Sequence, residues 1–121
     1  MEFEDLIRQY AEDYDIPYDV AYRLIRRESG FDPNAVGGVG EVGLGQVRPT
    51  TASDPGYGVE PIDPERLTDP EENIRFSLEY LDALRDEFGS LELGLAAYNA
   101  GPGTVADLGG VPEVSREYVA D

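Results

Sequence analysis

Apolar residues recur along most of the chain every three or four positions, the spacing of one helix face, and almost nowhere with the alternation of a half-buried strand. Residues 3 to 14 put Phe3, Leu6, Ile7, Tyr10, Ala11 and Tyr14 on one face with acids opposite, which predicts an amphipathic helix lying on a core. Asp15-Ile16-Pro17 interrupts it, because proline disfavours helix at Ile16 yet suits the first turn of a following helix. That second helix is predicted from Pro17 to Ser29, with Val20, Ala21, Leu24 and Ile25 inward and Gly30 as its terminator. Asp69-Pro70-Glu71-Glu72 combines a cap, a proline at the first helical position and a glutamate three after the cap. It opens the best helix of the chain, running to Phe88 with Ile74, Leu78, Leu81, Leu84 and Phe88 inward and Phe76, Tyr80 and Ala83 widening the face.

Ser90 caps a further helix whose small residues Gly94, Ala96 and Ala97 permit close packing, and whose end carries Tyr98 and Asn99 before a Gly101-Pro102-Gly103 turn. A last helix is expected from Pro112, turning Val114 or Ser115 and Tyr118 inward. Between these elements, residues 37 to 45 hold five glycines and form a flap, residues 46 to 52 open a short helix around Pro49, and residues 53 to 69 make an irregular surface loop. The expectation is a mainly α chain with little or no β-strand, folded as one domain over residues 1–121 around a single core.

One position breaks the pattern. Glu28 falls four residues after Leu24 and three after Ile25, so a carboxyl occupies the middle of an apolar helix face. Two readings are open: the last helical turn emerges into water, or the carboxyl is desolvated, holds a proton near neutrality and can act as a general acid.

Composition narrows the chemistry. The chain has no cysteine and no histidine, which excludes disulfides and thiolate sites and removes the commonest general base and metal ligand. Carboxylates, tyrosines, amides and hydroxyls remain, and no metal or cofactor is expected. The 26 acidic residues against 9 basic ones, all arginine, give a net charge of -17, which repels nucleic acid and anionic membranes as partners. Such a surface is either simply well solvated or adapted to high salt, where screening removes its self-repulsion. The N-terminal Met1-Glu2-Phe3-Glu4-Asp5 is acidic, without an apolar run of signal-peptide length, and no stretch approaches transmembrane length.

Three segments together resemble the motifs of the soluble lytic transglycosylases, a lysozyme-like family that cleaves peptidoglycan. Residues 28 to 36, Glu-Ser-Gly-Phe-Asp-Pro-Asn-Ala-Val, are similar to the catalytic motif. Gly43-Leu44-Gly45-Gln46 is similar to the second motif, usually Gly-Leu-Met-Gln, and residues 97 to 103, Ala-Tyr-Asn-Ala-Gly-Pro-Gly, closely match the third. Tyr118, in Arg-Glu-Tyr-Val, fits a late tyrosine of the family site.

The resemblance implies a lysozyme-like helical fold with a peptidoglycan glycan strand as partner, and a monomer is expected. In the family, the glutamate matching Glu28 protonates the bond between N-acetylmuramic acid and N-acetylglucosamine. Its carboxylate then deprotonates the muramyl C6 hydroxyl, which closes a 1,6-anhydro ring. By the same carry-over Ser29, Leu44, Gln46, Tyr98, Asn99 and Tyr118 are expected to bind substrate, the two tyrosines bracketing Glu28.

Two departures matter. Gly45 replaces the usual methionine, and Glu41 puts a second carboxylate in the flap. Glycosidases that use water commonly employ a carboxylate pair, so a goose-type lysozyme reaction through Glu41 is the first alternative. A noncatalytic glycan-binding or virion structural domain is the second. Residues 52 to 59 resemble phage-borne members, so a phage particle, or a longer parent protein, would account for delivery to the wall.

Overall fold

A computed structural model of the chain describes residues 3–120; Met1, Glu2 and Asp121 lie outside the described residues. Its helices are α1 (Glu4–Asp13), α2 (Tyr18–Ser29), α3 (Pro49–Ser53), α4 (Pro70–Phe88), α5 (Leu91–Ala100), α6 (Pro102–Leu108) and α7 (Arg116–Ala120), with 3₁₀ turns at Pro64–Thr68 and Glu113–Ser115. Among the described residues the β structure amounts to isolated bridges, Val36 with Val42 and Val42 with Val47. The mainly α expectation therefore holds. No helix among the described residues is long and apolar enough to cross a membrane.

The chain divides into two compact units, Met1–Glu79 and Tyr80–Asp121, and the division falls inside α4. In the first unit α1 buries Ile7 and Ala11, and Phe3 is buried at its N-cap. It ends in a reciprocal pair of backbone bonds: Ile16 N–H donates to the Ala11 carbonyl at 2.8 Å and Asp15 N–H to that of Glu12 at 3.2 Å, with Asp15 left-handed at φ 55. This Schellman arrangement satisfies carbonyls that a helix end leaves open, and it buries Ile16 beneath the turn. Pro17 is the N-cap of α2 instead of part of its first turn, so the helix starts one residue later than expected, because the ψ of 134 at Pro17 is extended. Ala21, Leu24 and Ile25 are the buried face of α2, while Val20 is half-buried.

α4 starts as its sequence requires. The Asp69 carboxylate accepts the Glu72 N–H at 3.1 Å, a cap of about 1 kcal/mol. Glu72 does not reach back as a capping box would; its carboxylate pairs instead with Arg75 at 3.3 Å and Arg66 at 3.6 Å. Ile74, Phe76, Leu78, Leu81 and Leu84 are fully buried.

In the second unit Leu84, Ala96, Ala97 and Val105 form a core against which Tyr80, Phe88, Leu93, Tyr98, Val111 and Val119 pack. The Ser90 hydroxyl accepts the Leu93 N–H at 3.1 Å and caps α5. Gly101-Pro102-Gly103, read as a turn, in fact opens a helix, with Pro102 at its first position and Val105 buried beneath it. The last helix begins later than Pro112: a 3₁₀ turn comes first and α7 starts at Arg116. Of the two candidates for the inward position there, Ser115 is buried and Val114 is 85% exposed.

Candidate active site

Glu28 stands half-buried in the last turn of α2, and the chain just beyond it is held in an unusual conformation. Gly30 is left-handed at φ 62, and Phe31 follows at φ 66, a region that costs a bulky residue on the order of 1 to 3 kcal/mol. Two contacts hold Phe31 there. Its N–H donates to the Ser29 hydroxyl at 3.2 Å, and its ring packs on Tyr22 with centroids 5.0 Å apart, itself next to Tyr18 at 5.8 Å. The Ser29 hydroxyl also donates to the Ile25 carbonyl at 3.1 Å. Ser29, expected at the substrate, is thus engaged with its own helix end and sets the turn that follows Glu28.

The flap returns to this segment. The Ala35 carbonyl accepts both the Gly43 N–H at 2.8 Å and the Gln46 Nε2 at 3.1 Å, and Gln46 Nε2 donates again to the Gly43 carbonyl at 3.0 Å. Gln46 is itself left-handed at φ 52. Its amide hydrogens therefore lock the flap to the segment that Glu28 opens, which leaves its carbonyl oxygen as the atom to offer a ligand. Leu44, expected at the substrate, has 0% exposure and anchors the flap from within the core.

Glu41 is half-buried and folds over the flap rather than standing free in it. Its Oε1 accepts the Val39 N–H at 2.9 Å. Bonds from its own N–H and from that of Val39, helped by the charge of Arg48, hold its carboxyl below the ordinary glutamate value. Gly37 is what permits this closure: a Cβ there would lie 2.6 Å from Glu41 Oε1 and 2.7 Å from Gln46 Oε1.

A residue that the sequence pattern does not single out organises the flap from beneath. Asn73 of α4 is fully buried, and its amide bonds Val42, Gly45, Leu67 and Ser77. The available signal was a pair of polar residues, Asn73 and Ser77, spaced one turn apart among the buried apolar positions of α4.

The remaining expected residues belong to the second unit. Tyr98 is half-buried against the Leu84 and Ala97 core, with its ring 6.0 Å from that of Tyr80. Asn99 accepts the hydroxyl of buried Ser115 at 2.7 Å, so its side chain braces the turn that precedes α7. Tyr118, on α7, is half-buried. In the first unit a surface cavity of about 580 Å³ lies beside α3, lined by Pro49, Thr50, Thr51, Ser53, Asp54 and Pro64, and none of the expected residues lines it. Among the described residues no group of acids is placed to hold a metal ion.

This geometry has counterparts among known proteins. The chain is 38% identical over 111 residues to the soluble lytic murein transglycosylase of Escherichia coli (strain K12), covering 85% of this chain and 17% of the relative. The crystal structure of the 70 kDa soluble lytic transglycosylase from Escherichia coli shares its lysozyme-like helical fold at a TM-score of 0.73 and 37% identity, over 87% of this chain and 18% of that one. The lytic transglycosylase Slt of Pseudomonas aeruginosa, solved as an inactive variant with glutamine in place of a glutamate, superposes at a TM-score of 0.74 with 31% identity, over 84% and 17%. Residues 5–112 match the transglycosylase SLT domain, and the chain belongs to that family.

Proposed function

We propose that residues 1–121 act as one domain, as a monomer, and cleave the glycan strand of peptidoglycan by lytic transglycosylation. The observation that carries this reading is the double tie on Ala35. It fixes the flap against the segment that begins with Glu28, so the surroundings of one carboxyl are set before a ligand arrives. The family supplies the reaction, and the inactive Pseudomonas variant is itself a glutamate-to-glutamine change.

Glu28 donates its proton to the oxygen linking N-acetylmuramic acid to N-acetylglucosamine, and the C1–O bond breaks. The resulting carboxylate takes the proton of the muramyl C6 hydroxyl, whose oxygen bonds C1. Glu28 ends protonated, no water is consumed, and the product is a 1,6-anhydro sugar. A single group serving first as acid and then as base requires a carboxyl that can change state near the working pH. Gln46 offers its carbonyl oxygen to a sugar N–H or O–H, and Tyr98 and Tyr118 provide further glycan contacts. Ser29, Leu44 and Asn99 support the site through the bonds and burial described above.

One observation favours a second reading. Glu41 is held ionised, as the base or cation-stabilising carboxylate of a lysozyme-type hydrolase would be. The same bonds that ionise it also turn it into the flap, which favours a structural part.

Purified peptidoglycan incubated with the protein and two variants tests the assignment. Glu28→Gln is expected to bind glycan, keep its melting temperature and release nothing. Glu41→Gln is expected to keep the anhydro product at a reduced rate. Loss of all product in both variants favours the carboxylate pair; binding without cleavage in every form, wild type included, identifies a noncatalytic glycan-binding or virion domain.

A further inference from the structure

Asn73 is buried to 0% exposure, and its side-chain amide is fully used. Nδ2 donates to the Val42 carbonyl at 3.0 Å and the Leu67 carbonyl at 2.8 Å. Oδ1 accepts the Gly45 N–H at 2.7 Å and the Ser77 hydroxyl at 3.1 Å. These partners fix which end of the amide is oxygen, since two are carbonyls and two are donors.

On the flap, Val42 offers an acceptor and Gly45 a donor, so a side chain must supply both polarities within one planar group to hold them together. Asparagine does so at this reach; leucine offers neither and aspartate lacks the donor pair. Gly43 passes between, so close that a Cβ would lie 2.3 Å from Asn73 Nδ2 and 2.3 Å from the Leu67 carbonyl oxygen. With φ 81, Gly43 could not carry a side chain without strain in any case.

We propose that Asn73 is a positioning residue for the glycan reaction, one that sets the register of flap residues 42 to 46 on α4. A held Gly45 N–H fixes where Gln46 leaves the backbone, and only from there do the Gln46 amide hydrogens reach Ala35 and Gly43. The effect on Glu28 travels through backbone and hydrogen bonds, not through contact with substrate. The proposal rests on the lytic reading of this unit.

Asn73→Asp tests it, because the shape and the acceptor are kept while one oxygen replaces the donor nitrogen. A carboxyl buried against two carbonyls has a raised pKa, so at low pH it stays protonated and donates one of the two lost bonds. Its stabilising protonated form is complete below the ordinary aspartate value and is lost as pH rises through the raised one. The ratio of variant to wild-type kcat/KM is therefore expected to fall as pH rises, reaching a loss of about 10- to 100-fold, the size typical of a displaced active-site loop. Hydrogen exchange at the Gly45 and Gln46 amides should quicken over the same pH range, while Ile7 and Ala11 in α1 keep their protection. Ser77→Ala, which leaves the ties to Val42, Gly45 and Leu67 in place, should stay within about threefold of wild type.

A folded Asn73→Asp with a flat ratio and unchanged exchange at Gly45 overturns the proposal. If that variant fails to fold, Asn73→Ser, which is smaller, can admit water and does not titrate, is expected to lose about 10- to 100-fold at every pH and to quicken exchange at Gly45 and Gln46, and wild-type values for both overturn the proposal. If the wild type cleaves no glycan, the lytic reading fails, and the exchange data still decide whether Asn73 registers the flap.

Discussion

Replacing Gly43 by alanine adds one methyl group where the structure leaves no place for it. The new Cβ would lie 2.3 Å from both the Asn73 amide nitrogen and the Leu67 carbonyl oxygen, and the second of these is backbone that cannot swing aside. Three costs combine. Left-handed backbone at φ 81 costs a residue with a Cβ about 1 to 2 kcal/mol. Forcing apart packed groups costs about 1 to 3 kcal/mol. Displacing the Asn73 amide strands at least one buried carbonyl or N–H, a further 1 to 3 kcal/mol or so. The expected loss is about 3 to 8 kcal/mol, against a total stability of about 5 to 15 kcal/mol for an ordinary domain.

Gly38→Ala is the matched control five residues earlier in the same flap. A Cβ there meets nothing within 4 Å, and Gly38 is not among the glycines with positive φ. The change should leave stability within about 1 kcal/mol or raise it slightly, by restricting the unfolded chain. Urea denaturation of the three proteins gives both differences. If Gly43→Ala costs no more than Gly38→Ala at an unchanged denaturant slope, the close approach of Asn73 and Leu67 to the flap backbone is wrong.

Other consequences are open to measurement. Gly94→Ala should destabilise by up to about 2 kcal/mol: helix propensity gains about 1 kcal/mol, but a Cβ 2.9 Å from the Arg85 backbone nitrogen costs more, and a variant with a higher denaturation midpoint would contradict the packing of α5. The Tyr10 hydroxyl donates to Glu71 at 2.6 Å, and that bond, with desolvation, pushes the phenol up to about 12. The neutral phenol favours the folded state, so this contribution is intact below the ordinary tyrosine value and is lost as pH rises through about 12; Tyr10→Phe should remove the late phase of the tyrosinate absorbance titration. With a net charge of -17, the chain should melt at a higher temperature in molar KCl than in dilute buffer, and equal melting temperatures would remove the case for high-salt adaptation.

Much of this architecture is legible from local pattern. The α1 stripe, the Asp69 cap and the inward face of α4 each follow from spacings within one helix, and each is present in the structure. What sequence leaves unread depends on partners distant along the chain. Gly101-Pro102-Gly103 reads as a turn by composition, yet Pro102 suits a first helical position and burial of Val105 outweighs the cost of Gly103 in a helix. Asn73 looks like one polar residue in a long helix until its bonds to residues 42 and 45 are seen. Ser29, Leu44, Gln46 and Asn99 stand out by motif, but their roles are set by the atoms they meet. Ser29 meets the end of α2, Leu44 the core, Gln46 the Ala35 carbonyl and Asn99 Ser115. Glu41 is a second flap carboxylate by sequence, and its half-buried place on the flap backbone becomes visible only with Gly37, which leaves it room to fold inward.

Glu28 is proposed to perform both proton transfers, with the muramyl C6 hydroxyl as nucleophile. Mass spectrometry of the fragments that the wild-type protein releases from purified peptidoglycan tests it most directly. Fragments one water lighter than the hydrolytic products, ending in an anhydro sugar, are the predicted result; fragments with free reducing ends and no anhydro species would contradict it.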